Sequence, residues 1–319
     1  MAFVIEKMLV DKPKPFPIFL LLDCSGSMNI DGRMESLNAA VEEMLVALRR
    51  EEKEKNRNFL LSIITFQGEK AELVQPPAPL KDVRFSPLKA DRTTPLGAAL
   101  DLAAEIIEDK TRIPSRACRP AVILVCDGVP TDDWEPALVR FTTQGRTAKC
   151  DRMVLAVGED LPERALDMLN RFVAGTGHSV MKAGDAREIA TFFKFATMSV
   201  VLRGRSQNVA QIPSAQEVTR AVKSLEEIEE EEFQRLVREM APLGFTQSAQ
   251  VSNYIVQNQL GHRYPHIAGI GKMERGADRW DFEGAISRRH YARLCSVLQL
   301  SDRRSGAVLA DFTSYADQR

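Results

Sequence analysis

Strand-like and helix-like stretches alternate along the first two hundred residues of the chain. Continuous apolar runs typical of buried strands lie at 16–22, 59–66, 120–127, 152–158 and 178–183. Between them, apolar residues recur at helical spacing over 34–52, 95–110, 134–144, 162–173 and 186–202. A further short run at 71–75 is predicted to pair back on the second strand as a hairpin. The pattern predicts an α/β fold with a doubly wound, mostly parallel sheet of about six strands.

The alternation stops at "RGRSQNVAQIP", residues 203–213, where polar and helix-breaking residues replace the periodic pattern. We therefore predict an α/β domain over 1–203, followed over 204–319 by a linker, an acidic helix and a second, smaller, mostly helical domain. The acidic helix covers 224–240, and its predicted apolar stripe consists of Leu225, Ile228, Phe233, Leu236 and Val237. Helical patterns at 247–260 and 285–300 enclose a glycine-rich stretch that resembles a hairpin.

Composition narrows the class of protein. The 319 residues are 44% hydrophobic and 27% charged, with a formal net charge of −1, which argues against a globally basic nucleic-acid binder. Five scattered cysteines without CxxC spacing indicate a reducing compartment. The start of the chain lacks the features of a signal peptide, and the longest apolar run, 16–22, is too short to cross a bilayer. We expect a cytoplasmic protein with no membrane association.

The stretch "LLLDCSGSM" at 20–28 ends the first predicted strand with candidate metal ligands. Ligands of doubly wound sheets bind outside the carboxyl ends of the strands, and Asp23 lies at that edge. Ser25 and Ser27 follow on alternate positions, and Gly26 allows the backbone to bend closely around one point. Hard oxygen ligands of this kind suit Mg²⁺, which usually keeps several waters.

Two further loops carry oxygen ligands to the same edge of the predicted sheet. "DRTTPLGAAL" at 91–100 places Thr94 just before a helix, and "ILVCDGVPTDDW" at 123–134 places Asp127 at the end of a strand. The carboxyl ends of parallel strands meet at one edge, so these side chains are expected to lie near Asp23. The three loops together predict a magnesium site.

These motifs resemble a known family. D-x-S-x-S, T-P-L-G-x-A-L and a strand-terminal D-G are similar to the metal-ion-dependent adhesion site of von Willebrand factor type A (VWA) domains, and the resemblance covers about 14–202. Within the superfamily, "DGVPTDDW", "VLAVGED" and "FFKFATMSV" look closest to the bacterial tellurite-resistance-associated TerY group. The resemblance implies that Ser25 and Ser27 bind the metal directly, Thr94 directly or through water, and Asp23 and Asp127 mainly through water.

The resemblance also implies a function. The metal, Mg²⁺ or another divalent cation such as Mn²⁺ or Ca²⁺, would keep an open coordination position that an Asp or Glu of a partner protein fills. TerY-like proteins are associated with bacterial stress, tellurite-resistance and antiviral (phage-defence) systems, often beside a protein kinase and a protein phosphatase. We therefore expect a non-enzymatic, Mg²⁺-dependent protein-interaction adaptor, with an associated kinase or phosphatase as a candidate partner.

Other chemistry has weaker support in the sequence. Haloacid-dehalogenase-type phosphatases have D-x-D at the first strand, whereas Ser25 occupies the second position here, and neither a G-x-S-x-G elbow nor a phosphate-binding loop is found. We predict that the chain is not an enzyme. Three minor hypotheses are a thiol pair of Cys24 and Cys126 beside the metal, a zinc site at His262 and His266, and a modulating role for Asp132 and Asp133. For the two aspartates, a helix N-cap and first-turn acids are the simpler interpretation.

The competing function is that of a nucleic-acid-associated effector, whose C-terminal domain binds DNA and whose VWA domain recruits it. The stretch 243–261 has the cadence of a helix-turn-helix, and 269–282 could form the wing of a winged helix. From 241 to 319, ten Lys or Arg residues stand against seven Asp or Glu residues. A small partner-binding module remains the preferred interpretation of this region.

Overall fold

The computed structural model describes residues 13–91, 93–158, 161–206, 212–275 and 278–300, with only the backbone described over 270–283. The first part of the chain folds into strands that alternate with helices. The strands are β1 Phe16–Asp23, β2 Phe59–Gln67, β3 Lys70–Pro79, β4 Ala121–Cys126, β5 Asp151–Val157 and β6 Met181–Ala183. The helices are α1 Arg33–Lys55, α2 Leu96–Glu108, α3 Trp134–Thr143, α4 Glu163–Val173 and α5 Ala186–Arg205.

The six strands form one sheet in the order β3-β2-β1-β4-β5-β6. Neighbours from β2 to β6 are parallel, and β3 pairs antiparallel with β2 as the predicted hairpin. Every residue of β1 and β4 is buried, which explains their continuous apolar sequences. β3 alternates exposed and half-buried positions because it lies at an edge of the sheet.

Helices cover both faces of the sheet, which confirms the predicted doubly wound α/β fold. Ile18, Leu20 and Leu22 of β1 belong to the core formed with α1 and α5. Phe19 and Leu21 belong to the opposite core, formed with α2, α3 and α4. Successive side chains of a strand point to opposite faces, so β1 contributes to both cores. The carboxyl ends of β1 and β4 lie side by side at one edge of this sheet.

The last helix of the α/β unit is longer than the sequence pattern predicts. The sequence pattern ended the last helix at 202, but α5 continues to Arg205. The reason is an ion pair, since Nη1 of Arg203 lies 2.7 Å from Oδ2 of Asp151 and both side chains are fully buried. Nη2 of Arg203 also donates to the carbonyl of Arg119 at 2.9 Å. The polar residues after 202 therefore anchor the helix to the sheet, while the division into two domains stays a prediction.

The second part of the chain has a core of its own. Its elements are α6 Ala215–Met240, α7 Ser248–Gln257, α8 Leu260–Arg263, the hairpin β7 Ala268–Arg275 with β8 Asp278–Ile286, and α9 Arg288–Val297. Buried apolar side chains from α6 to α9 form this core, among them Phe233, Leu236, Val251, Ile255 and Leu294. This confirms an additional helical region at the C-terminal side, with the predicted hairpin inside it.

The predicted apolar stripe of α6 is only partly right. Phe233 and Leu236 are buried, but 41% of Ile228 is exposed, and the first half of the helix buries Val218 and Val222. The neighbouring Glu229 explains the difference, because its carboxylate pairs with Lys194 at 2.8 Å and with Arg289 at 3.0 Å. This side of the helix faces the protein, so Ile228, about 100° further around the helix, faces solvent.

Polar contacts join the second part to α1 and α5. Arg289 Nε lies 3.7 Å from Glu43 Oε1, and Arg288 Nε lies 3.9 Å from Glu42 Oε2. Nη1 of Arg50 donates to the carbonyl of Pro265 at 2.9 Å. Carboxylates of the acidic helix α6 also form ion pairs within the chain, as Glu229 does with Lys194 and Arg289. Among the described residues, we find no helix that is long and apolar enough to cross a membrane.

Candidate metal centre

The first loop of the candidate site begins where β1 ends. Oδ1 of Asp23 accepts a hydrogen bond from the backbone N–H of Ser25 at 2.8 Å, which turns the chain sharply after the strand. A 3-10 helix over Gly26–Gly32 follows, and the N–H of Met28 donates to the carbonyl of Ser25 at 3.0 Å. Asp23 and Ser25 are buried, whereas Ser27 is exposed. The loop therefore places the Ser27 hydroxyl at the surface, above the buried Ser25 hydroxyl and the buried Asp23 carboxylate.

Asp127 completes a cluster of four side chains with this loop. Leu22 of β1 pairs with Val125 of β4, so the two strands end next to each other. Oγ of Ser25 lies 3.0 Å from Oγ of Ser27 and donates to Oδ1 of Asp127 at 3.2 Å. The structure thus brings together Asp23, Ser25, Ser27 and Asp127, four of the five predicted ligands.

The negative charge of the two carboxylates in this cluster is only partly balanced by a nearby cation. Burial, and next the negative charge of Asp127, raise the pKa of Asp23 to about 7. Oδ2 of Asp127 is buried and accepts no hydrogen bond. The nearby cation is Arg33, whose Nη1 lies 3.8 Å from Oδ2 of Asp127. Two carboxylates are therefore held close together, and the charge of Asp127 disfavours the ionised form of Asp23.

Thr94 lies on the second loop, just before α2. It is buried, its backbone N–H donates to Oγ1 of Thr131 at 3.2 Å, and its carbonyl accepts from the N–H of Thr131 at 2.9 Å. These bonds tie the second loop to the loop that follows Asp127. In the part of the chain that the structure describes, the Thr94 side chain makes no hydrogen bond with the other four predicted ligands.

Asp132 caps a helix, but not the helix that follows it in the sequence. Its carboxylate accepts from the backbone N–H of Gly97 at 3.1 Å and of Ala98 at 3.0 Å, so it caps α2 rather than α3. Asp133 holds the N-cap position of α3 without a side-chain hydrogen bond. A Cβ at Gly97 would lie 2.9 Å from Oδ2 of Asp132 and 2.9 Å from Cα of Trp134. Glycine is required there because the two loops approach so closely.

The donor set fits a small, hard divalent cation. Two carboxylates and two serine hydroxyls converge, which are oxygen ligands of the kind that Mg²⁺ and Ca²⁺ prefer. The free Oδ2 atom of Asp127 and the raised pKa of Asp23 both indicate that a positive charge would stabilise the cluster. Asp23, Ser25, Ser27 and Asp127 could hold this cation directly or through water, with Thr94 reaching it from the neighbouring loop.

Neither the two cysteines nor the two histidines singled out in the sequence come together as a second site. Cys24 belongs to the core on one face of the sheet and Cys126 to the core on the other, so the thiols do not form a pair. Burial raises the pKa of Cys24 to about 12 and raises that of Cys126 as well. Nδ1 of His266 lies 2.7 Å from Oε1 of Glu232, and Nδ1 of His262 lies 3.2 Å from Oε1 of Gln259. The two histidines have separate partners.

Sequence reasoning missed Arg33 and did not identify the helix that Asp132 caps. Arg33 follows the 3-10 helix as the first residue of α1, a position without a distinguishing pattern, yet it forms an ion pair with Asp127. The capping of α2 by Asp132 depends on a contact across 35 positions of the sequence. No local signal reveals either contact, since each depends on how the loops meet above the sheet.

Residues 18–129 match the family model of the von Willebrand factor type A domain. The matched range begins in β1, ends just after Asp127, and contains all five predicted ligands. The sheet and its flanking helices resemble solved structures of the same kind. The α/β unit has the fold of a VWA domain. Among curated protein sequences, none matches this chain significantly.

Three solved structures illustrate the likeness of the VWA domain. The pilus adhesin SpaC from Lactobacillus rhamnosus GG has a TM-score of 0.50 at 12% identity, over 60% of this chain and 31% of that one. A von Willebrand factor type A protein from Catenulispora acidiphila has a TM-score of 0.46 at 17% identity, over 59% of this chain and 43% of that one. Proximal thread matrix protein 1 from the mussel byssus, with its MIDAS motif occupied by zinc, has a TM-score of 0.44 at 14% identity, over 61% and 47%.

The matches span less than half of each of these three chains. At 12% to 17% identity they concern the fold alone. The comparisons therefore support the VWA fold of the α/β unit, and they do not extend to the chemistry of its site.

Proposed function

We propose that the chain is a non-enzymatic adaptor that binds a partner protein through a divalent cation in the VWA domain. Mg²⁺ is the proposed metal, with Mn²⁺ or Ca²⁺ as alternatives that the same oxygen ligands would accept. An Asp or Glu of the partner would supply the ligand that completes the coordination.

One observation carries this proposal. Ser25 and Ser27 present their hydroxyls within 3.0 Å of each other, and Ser25 also contacts Asp127 at 3.2 Å. The Oδ2 atom of Asp127 is buried without a hydrogen bond, and its nearest basic atom is 3.8 Å away. A buried carboxylate that lacks a hydrogen-bond donor is costly unless an ion compensates it. A bound cation would provide this compensation.

The bound metal would act as a Lewis acid that binds the carboxylate of a partner. The loop places Ser27, Asn29 and Ile30 at the surface, and half of Ile30 is exposed. A partner could therefore reach the metal and contact an apolar side chain beside it. Asp23 and Ser25 are buried below this surface and would hold the metal without meeting the partner.

The biological setting of the proposal comes from the motifs of the chain. Their resemblance to the TerY group supports a role in a bacterial stress, tellurite-resistance or phage-defence system, in the cytoplasm. An associated protein kinase or phosphatase is the proposed partner.

The direct test is to capture partners on the immobilised full chain in Mg²⁺ and again in EDTA. Partners that remain bound in EDTA at full strength would contradict the metal-bridged mechanism.

The DNA-binding effector is the second candidate, and the structure weakens its basis. α8 contains four residues, which is too short for a recognition helix. Arg289 and Arg293 of α9 form ion pairs with Glu229 and Glu230 at 3.0 Å and 2.5 Å, so their charges are already balanced. We therefore expect only weak DNA association by the full chain, lost between low and physiological salt. Nanomolar, sequence-dependent binding at physiological salt would favour the effector.

A further inference from the structure

Arg33 occupies a defined position at the candidate metal centre. It is the first residue of α1, directly after Gly32, whose φ of 68° turns the chain from the serine loop into the helix. Only 17% of its side chain is exposed, and Nη1 lies 3.8 Å from Oδ2 of Asp127. The guanidinium also lies over Gly158, where a Cβ would come within 3.6 Å of Nη2. Arg33 is therefore held against the site rather than extended into solvent.

Arg33 and Asp127 each keep a buried polar atom without a hydrogen bond, although their charged groups lie close together. A distance of 3.8 Å is within the range of an ion pair but too long for a hydrogen bond. Nε of Arg33 and Oδ2 of Asp127 are both buried and have no hydrogen-bond partner. A purely structural salt bridge would normally satisfy these atoms, because guanidinium and carboxylate groups match in geometry. Both groups thus keep bonding capacity that a metal and an anionic ligand could use.

The charges of the three groups define what the site can bind. Asp23 and Asp127 carry two negative charges when ionised, and Arg33 carries one positive charge. A divalent cation would leave these groups with one net positive charge, which a single carboxylate would neutralise. Without Arg33, the metal-loaded group would already be neutral. Arg33 therefore opposes the metal by repulsion and favours an anionic ligand by attraction.

We propose that Arg33 is a specificity-determining residue, which makes the loaded metal centre select a carboxylate at the expense of metal affinity. This inference rests on the proposed function, because it requires a cation at Asp127. It adds a residue outside the five predicted ligands and gives it two effects of opposite sign. A residue that only stabilised the loop would weaken both kinds of binding when it is replaced.

The first part of the test measures metal affinity. Mn²⁺ is titrated into the full-length wild-type chain and into R33Q, R33K and R112Q, and binding is followed by water-proton relaxation. R33Q should bind Mn²⁺ about tenfold more tightly, because a nearby positive charge has been removed. R33K keeps the charge and should bind like wild type. R112Q is the matched control, because Arg112 is a partly exposed arginine beyond the far end of α2.

The second part of the test measures carboxylate affinity. Acetate is titrated into each Mn²⁺-loaded chain, and displacement of metal-bound water lowers the relaxation rate. R33Q should bind acetate about tenfold more weakly than wild type, whereas R112Q should not change. Thermal melting of all four chains shows that each is folded.

The outcomes distinguish an error in the role of Arg33 from an error in the metal site itself. If R33Q binds Mn²⁺ more tightly and acetate more weakly than wild type does, the proposed role of Arg33 is supported. If wild type binds Mn²⁺ but R33Q has unchanged or weaker affinity for the metal, the role of Arg33 is wrong and the metal site stands. If the folded wild type binds no Mn²⁺, the metal site and the role of Arg33 are both wrong. If R33Q does not fold, R33K decides, since a loss of Mn²⁺ or acetate affinity despite its retained charge would overturn the proposal.

Discussion

Ser25 donates a hydrogen bond to Asp127 at 3.2 Å across 102 positions of the sequence. This contact joins the loop after β1 to the loop after β4 and places a hydroxyl between two carboxylates. The second carboxylate is that of Asp23, whose ionised form Asp127 disfavours. The arrangement suits metal binding better than it suits the stability of the metal-free chain.

Replacing Asp127 with Asn should therefore separate stability from metal binding. The substitution keeps an oxygen that can accept from Ser25 and removes the negative charge that opposes ionisation of Asp23. We expect the metal-free variant to be as stable as wild type or about 1 kcal/mol more stable. Mg²⁺ should no longer raise its melting temperature. Thermal melting with Mg²⁺ and with EDTA checks both effects, and a variant that Mg²⁺ still stabilises fully would exclude Asp127 from the metal site.

Replacing Gly97 with Ala should destabilise the fold. The new Cβ would lie 2.9 Å from Cα of Trp134, so the backbone must move, and the capping contact with Asp132 must open. Forced contacts of this kind cost about 1–3 kcal/mol. Urea unfolding at equilibrium measures the loss. G128A is the matched control, because a Cβ there has nothing within 4 Å, and equal losses in both variants would refute the steric explanation.

Much of the fold follows from local patterns, whereas parts of the site do not. The apolar run of β1 and the proline-led start of α2 are visible in the sequence, and so are Asp23, Ser25 and Asp127 as strand-end oxygens. The periodic pattern stops at Arg203, yet α5 continues through this residue because Arg203 pairs with the buried Asp151, 52 positions away. Arg33 carries no local signal either. Such pairs are properties of the assembled sheet, and one sequence cannot reveal them.

Asp151 and Arg203 should make stability depend on pH. Burial raises the pKa of Asp151, but hydrogen bonds and charges from His178 and Arg203 outweigh this effect and hold the pKa below its ordinary value. The ionised Asp151 therefore stabilises the fold at pH values above its unfolded pKa, and this contribution disappears as the pH falls through the lower folded pKa. The loss lies below about pH 4.

The D151N variant tests this dependence. At pH 7 it should be about 3–5 kcal/mol less stable than wild type, because Arg203 is left buried without its partner. The difference between the two proteins should shrink as the pH falls below about 4. D101N is the control, since the pair of Asp101 and Arg140 is half exposed. A difference between wild type and D151N that is constant from pH 7 to pH 3 would contradict the assigned pKa direction.

The central claim is that the hydroxyls of Ser25 and Ser27 bind a divalent cation. Replacing Ser25 and Ser27 together with Ala removes one buried and one exposed hydroxyl from the loop after β1 and leaves the apolar cores unchanged. The double variant should melt within a few degrees of wild type in EDTA. Its partner binding should fall to the level that wild type shows in EDTA, because the open coordination position is lost with the metal. The control is S115A/S224A, which removes two exposed hydroxyls outside the site.

Calorimetric titration of Mg²⁺ into wild type and into the S25A/S27A variant tests the claim most directly. The wild-type chain should bind one Mg²⁺ ion, and the folded double variant should bind it at least about 100-fold more weakly. If the two proteins bind Mg²⁺ with the same affinity, or if folded wild type binds none, the loop after β1 is not a metal centre.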